Sequence, residues 1–224
     1  MYKLSPSDLT FLWDGCKHCF YLKVKHNIVY RGGFPSIFGK MANLTSDFYQ
    51  DKSTSEISSE LPPGRMKFKE KYVKSAPIAA PGLSAQAFIR GRFDAVIEFE
   101  DGSYGVVDYK TSDAKDEHAA FYSRQLSAYA YALEHPAPKA LELSPVSRLG
   151  LYVITPERYE RSAGEEMVFV NKTTWVEVAR DDEAFLGLIG EVLRVLEAPG
   201  PPESSRGCAA CTYRSKMQAF EEQG

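Results

Sequence analysis

The clearest pattern of hydrophobic and polar positions runs from Ala87 to Lys110. Phe93, Ala95, Ile97 and Phe99 alternate with Asp94, Val96 and Glu98, the period of two expected of a strand whose successive side chains face opposite ways. Glu100-Asp101-Gly102 then offers turn chemistry, and Tyr104 to Lys110 continues as a second strand, so the stretch predicts a β-hairpin. Upstream, Ser5 or Ser7 with Pro6 starts a short helix ahead of Leu9, Phe11, Leu12 and Trp13. A helix is predicted over 34–50, a polar Ser-rich loop over 51–64, and an extended basic edge segment over 65–75. Phe121, Leu126, Tyr129, Ala130 and Leu133 form an apolar stripe on a helix over 116–134, ended by Pro136 and Pro138. Strands near 149–154 and 166–178 precede a helix over 182–196, and APGPPESSRG reads as a stiff linker. This order predicts a mixed α/β sheet flanked by helices, with no internal repeat.

The register of the hairpin decides what its polar residues do. Asp108 and Lys110 share one face of their strand, with Tyr109 on the other. A two-residue turn would set Asp94 opposite Tyr109, whereas a three-residue loop with Gly102 in the left-handed region sets Asp94 opposite Asp108. The second register also pairs Phe93 with Tyr109 and Ala95 with Val107, leaving one apolar face and one face carrying Asp94, Asp108 and Lys110. The three-residue loop is predicted on that ground. Two opposed carboxylates repel, and a hard divalent cation such as Mg²⁺ or Mn²⁺ relieves that repulsion while activating water. Lys110 is placed to position water or to offset charge on a phosphate. The plainer alternative is a solvated Asp94 beside an inconsequential Asp108–Lys110 pair.

Composition narrows the field less. With 224 residues and 44% hydrophobic content the chain can bury a core without disulfides, and one domain over 1–224 is expected, its core at about 34–197 and its terminal segments at 1–33 and 198–224. The net charge of -3 excludes a global field for nucleic acid. Arg65, Lys67, Lys69, Lys71, Lys74, Arg90 and Arg92 offer a phosphate track, although a lysine-protected strand edge is the simpler reading. The start of the chain lacks a basic leader and no window is apolar enough to span a membrane, so a cytoplasmic protein is expected. All four cysteines fall into two Cys-x-x-Cys pairs, Cys16 with Cys19 and Cys208 with Cys211, which in a reducing compartment indicates metal-binding or redox chemistry. His18, His26, His118 and His135 show no mutual ligand spacing.

The run Gly91-Arg92-Phe93-Asp94, thirteen residues, then Asp108-Tyr109-Lys110-Thr111-Ser112, followed by a helix with Gln125 and Tyr129 on one face, resembles the RecB-type branch of the PD-(D/E)xK nucleases. That resemblance implies a restriction-endonuclease-like fold. It implies Asp94 and Asp108 as divalent-metal ligands with the Tyr109 backbone carbonyl, Lys110 as the catalytic lysine, and Gln125 and Tyr129 as site support or DNA contacts. SPSDLTFLWDGCKHCFYLK and CAACTYR are similar to the terminal segments of iron–sulfur members, including CRISPR-adaptation exonucleases. There, cysteines from both termini close one 4Fe–4S cluster; four thiolates equally suit Zn²⁺. Two departures stand out: the cysteines divide two and two rather than one and three, with Met217 near the place of a last cysteine, and Asn43 occupies the place of a metal-binding histidine in FGKMAN. The resemblance implies a metal-dependent deoxyribonuclease, an exonuclease on single-stranded or frayed ends in CRISPR adaptation, antiviral defence, recombination or DNA repair. The alternative is a catalytically weakened DNA-binding scaffold subunit of such a complex.

Overall fold

The computed structural model describes residues 1–30, 36–112 and 117–223. The chain begins with β1 (Tyr2–Leu4), a π-helical turn (Asp8–Leu12) running into α1 (Trp13–Gly15), α2 (Lys17–His26) and α3 (Ser36–Tyr49). A 3-10 turn (Thr54–Glu56) leads to strands β2 (Gly64–Lys69), β3 (Tyr72–Lys74), β4 (Ile78–Ala79), β5 (Gln86–Arg92), β6 (Ala95–Phe99) and β7 (Tyr104–Thr111). Helix α4 (Glu117–Glu134), strands β8 (Val146–Arg161) and β9 (Met167–Glu177), and helices α5 (Asp182–Glu197) and α6 (Ala209–Glu221) complete it. No helix of the described residues is long and apolar enough to cross a membrane.

A five-stranded sheet in the order β2-β6-β7-β8-β9 carries the architecture. Its pairs are antiparallel except β7 with β8, which run parallel and are joined through α4, since parallel neighbours need a crossover. Alternation sends Val96, Val106, Leu149, Leu151 and Val153 to one face, where they pack with Leu126, Leu133, Ile189 and Leu193 of α4 and α5. Ala95, Ile97, Phe99, Val107 and Tyr152 face the other way, into a smaller cluster with Trp175 and Tyr49. Both faces are therefore covered, and the expectation of one apolar and one polar hairpin face is corrected: the carboxylates occupy a gap in an otherwise apolar face. In a second sheet, β5 is flanked by β1 in parallel and by β3 and β4 antiparallel.

The hairpin register is the three-residue one, with Ala95 opposite Val107 and Glu98 opposite Tyr104. Phe99 N–H donates to Ser103 O at 2.9 Å, and Gly102 adopts φ +85. Phe93 departs from expectation: the strand breaks between Arg92 and Ala95, and Phe93 turns into the helix-side core. The loop over 51–64 is better fastened than its polarity suggests. Ser53 and Glu56 form a reciprocal capping box, and the buried Thr54 hydroxyl donates to Pro62 O at 2.8 Å. The strand expected over 166–178 is β9, whereas the one expected near 149–154 runs on as β8 past Ile154, where the pair continues as a mostly exposed ribbon with Tyr159 stacked on Phe169.

Candidate active site

The break at Phe93-Asp94 places the first carboxylate. Asp94 Oδ2 accepts the Tyr109 N–H at 2.9 Å, standing where a ladder partner would otherwise be. The N–H and C=O of one strand residue point to the same edge, so the Tyr109 carbonyl opens toward Asp94 as well, beyond the first residue of β6. Asp108 lies close enough to Asp94 for each carboxyl to feel the other. Asp108 is only 3% exposed; its Oδ1 accepts from Gln125 Nε2 at 2.7 Å, and its Oδ2 is ion-paired with Lys110. Lys110 also lies 4.4 Å above the Tyr122 ring. Tyr129 sends its hydroxyl to Arg92 O at 2.7 Å, fixing the end of β5 just before Asp94.

The electrostatics follow from burial. Desolvation, reinforced by the Asp108 charge, pushes the Asp94 carboxyl up to about 7, against the pull of the Tyr109 N–H and Lys110. Burial raises Asp108 too, with Lys110 opposing. Burial alone would lower Lys110, but the Asp108 carboxylate holds the ammonium above its ordinary range. The result is two crowded carboxylates sharing one internal cation. A hard oxygen donor set of this kind fits Mg²⁺ or Mn²⁺, because the ion would supply the positive charge that the pair lacks.

Sequence reasoning overlooked Glu70. It adopts φ 49 in the turn between β2 and β3, donates its N–H to Asp94 O at 3.0 Å, pairs with Arg92 at 3.6 Å, and adds negative charge felt at Asp94. A non-glycine residue in the left-handed region beside a carboxylate cluster is a structural signal that spacing does not carry. Asn43 is exposed on α3, and no hydrogen bond joins it to either carboxylate among the described residues. The basic residues also divide. Lys67 and Lys69 pair with Glu98 and Asp47. Lys74 and Arg90 face each other across β3 and β5, with Arg92 next along that edge opposite Tyr72.

The second cluster joins the two ends of the chain. Cys16 stands at the N-terminus of α2 and Cys208 at that of α6, with Cys19 and Cys211 one turn in. All four sulfurs lie within 4.8 Å of one another. Arg214 Nη2 donates to Cys19 Sγ at 3.0 Å and Cys211 Sγ at 3.3 Å, and Ser205 N–H to Cys16 Sγ at 3.5 Å. Burial raises the Cys19 thiol to about 12, despite Arg214. For Cys16 burial is outweighed by the Ser205 and Cys19 hydrogen bonds, and it falls to about 6. His18 is no ligand here: its Nδ1 donates to Pro202 O at 2.8 Å and pins the linker.

The sequence matches the family model described as PD-(D/E)XK nuclease superfamily over residues 36–216. No curated protein sequence matches at a significant level. Among solved structures, SSO0001 superposes with a TM-score of 0.45 at 15% identity, over 88% of this chain and 78% of that one, a likeness too loose to argue from.

Proposed function

Because the chain belongs to the PD-(D/E)XK nuclease superfamily, we propose that it is a divalent-metal-dependent deoxyribonuclease in which Asp94, Asp108 and Lys110 do the chemistry. The observation that carries this reading is the meeting of those three side chains, with Gln125 clamped on Asp108, in one buried gap of the sheet.

Asp94, Asp108 and the Tyr109 carbonyl would hold Mg²⁺ or Mn²⁺, which when bound supplies the charge that acidifies a water and stabilises a phosphate in displacement. Gln125 keeps Asp108 in one orientation by taking one of its oxygens. Paired with Asp108, Lys110 is held as an ammonium, a state that suits offsetting charge on the scissile phosphate better than proton abstraction. Lys74, Arg90 and Arg92 lie on the strand pair leading to Asp94 and suit the approach of a DNA backbone.

The hairpin motif and the Gln125 helix support a finer reading: an exonuclease on single-stranded or frayed ends, serving CRISPR adaptation or DNA recombination and repair. The test is purified protein with Mn²⁺ or Mg²⁺ on end-labelled single strands, frayed duplexes and closed circles. Loss of the ends is expected from wild type, with a fall of at least about 100-fold in Asp108→Ala and Lys110→Ala. No cleavage of any form, with wild type and Asp108→Ala binding Mn²⁺ equally, would sink the proposal.

Asn43, standing where the resemblance expects a metal-binding histidine, favours one competitor, a DNA-binding scaffold whose metal site has lost a ligand. Cleavage that appears only in Asn43→His would decide for that competitor.

A further inference from the structure

The cysteine quartet has a size, and that size separates two kinds of metal centre. Cys16 and Cys211 sulfurs are 3.8 Å apart, Cys19 and Cys208 3.6 Å, and Cys19 and Cys211 3.5 Å. Four thiolates bound to one ion at about 2.3 Å in a tetrahedron stand about 3.8 Å apart, since the edge is about 1.6 times the bond. A four-iron cube instead binds each thiolate at a separate corner. The corners diverge from the same centre, so every sulfur separation exceeds the single-ion edge by a full iron–iron distance, more than about 2 Å. Three of the six separations match the first requirement, and the whole set, within 4.8 Å, falls short of the second by about 1 Å or more.

We infer that the four cysteines form a closed tetrahedral site for a single Zn²⁺ and do not hold a 4Fe–4S cluster. Cys16 and Cys19 on one helix start, and Cys208 and Cys211 on another, make two equivalent knuckles, which accounts for the two-and-two division of the sequence. Met217 needs no ligand role and is 40% exposed. Four thiolates around a dication leave two negative charges. Arg214, donating to two sulfurs, and the Ser205 N–H, donating to a third, are placed to offset them. With four protein ligands the ion has no open position, so it holds structure and does no chemistry on substrate.

The assignment goes beyond the nuclease reading and stands or falls apart from it, because the readout is metal content. The full chain is purified without oxygen after growth with both iron and zinc, then analysed for metals, acid-labile sulfide and visible absorption. One zinc per chain is expected, with no iron or sulfide and no colour. Replacement by Co²⁺ should give the absorption of a tetrahedral thiolate site. A brown protein with four irons and sulfide, or a chain without bound metal, overturns the inference. Since Cys→Ser variants risk misfolding, Arg214→Gln provides the second arm: it keeps stoichiometric zinc but loses it to a chelator about 10-fold faster. Unchanged loss would remove Arg214 from the site. Asp108→Ala, inert in cleavage if the nuclease reading holds, should retain its zinc in full.

Discussion

Lys110 is the internal counter-ion of the site. Its partner Asp108 is nearly inaccessible, so Lys110→Ala leaves a buried carboxylate beside Asp94 with no cation. Thermal or urea unfolding without divalent metal should show a loss of about 3 kcal/mol at pH 8, and less at pH 5, where a raised carboxyl takes up a proton. Asp94 has the opposite sign. Its carboxyl titrates at about 7 in the fold against 3.8 ordinarily, so between those values the native state holds a proton that the unfolded chain has released. Stability from this group is present at low pH and is lost as pH rises through about 7. Asp94→Asn should therefore stabilise the metal-free protein at pH 8, on the order of 2–4 kcal/mol, with no gain near pH 4. Mn²⁺ should raise the Tm of wild type and leave the variant unmoved. Glu70 adds to the same repulsion, so Glu70→Gln should shift the acid limb of the cleavage profile to lower pH. A shift to higher pH would show that Glu70 does not act through Asp94. Asp108 and Lys110 were readable from strand alternation, while Asp94 sits at a strand break that the alternation did not foresee. Glu70 was not readable, since a turn glutamate among lysines differs from a solvated one only in its φ and its neighbours.

At the scale of elements, glycine marks where the sheets are tightest. A Cβ on Gly150 would come within 2.1 Å of the Trp175 ring, which lies across β8 from β9. Gly150→Ala should cost about 2–3 kcal/mol in urea unfolding, because the indole has to leave its packed position and break its 2.9 Å bond to Glu177. Gly102→Ala should cost only about 1 kcal/mol: the turn has open space, and the penalty is the left-handed backbone. The hairpin, α4 and α5 were legible because one period runs through each of them. The second sheet was not, since β1 is three residues long and joins β5 in parallel across some eighty positions of sequence. The full length of β8 also escaped detection. Beyond Ile154 the ribbon is exposed on both faces, so burial imposes no alternation there.

At the scale of the whole molecule, the ends of the chain lie together. Tyr21 and Lys25 of α2 donate to the last carbonyls of α5, and α6 joins the rest through the small cluster around the cysteines. Stripping the cysteine site with a strong thiophilic chelator should release α6 first, seen as early hydrogen exchange over Ala209–Glu221 while β6 and β7 stay protected. The bonded sulfurs are separated by 189 to 195 positions, so an occupied site turns a linear polypeptide into a near-complete ring. A ring cut once remains one object. A protease acting on the exposed ribbon of β8 and β9 should yield two fragments that migrate together under native conditions, held by the inner β8–β9 ladder and α5 as well as by an occupied cysteine site.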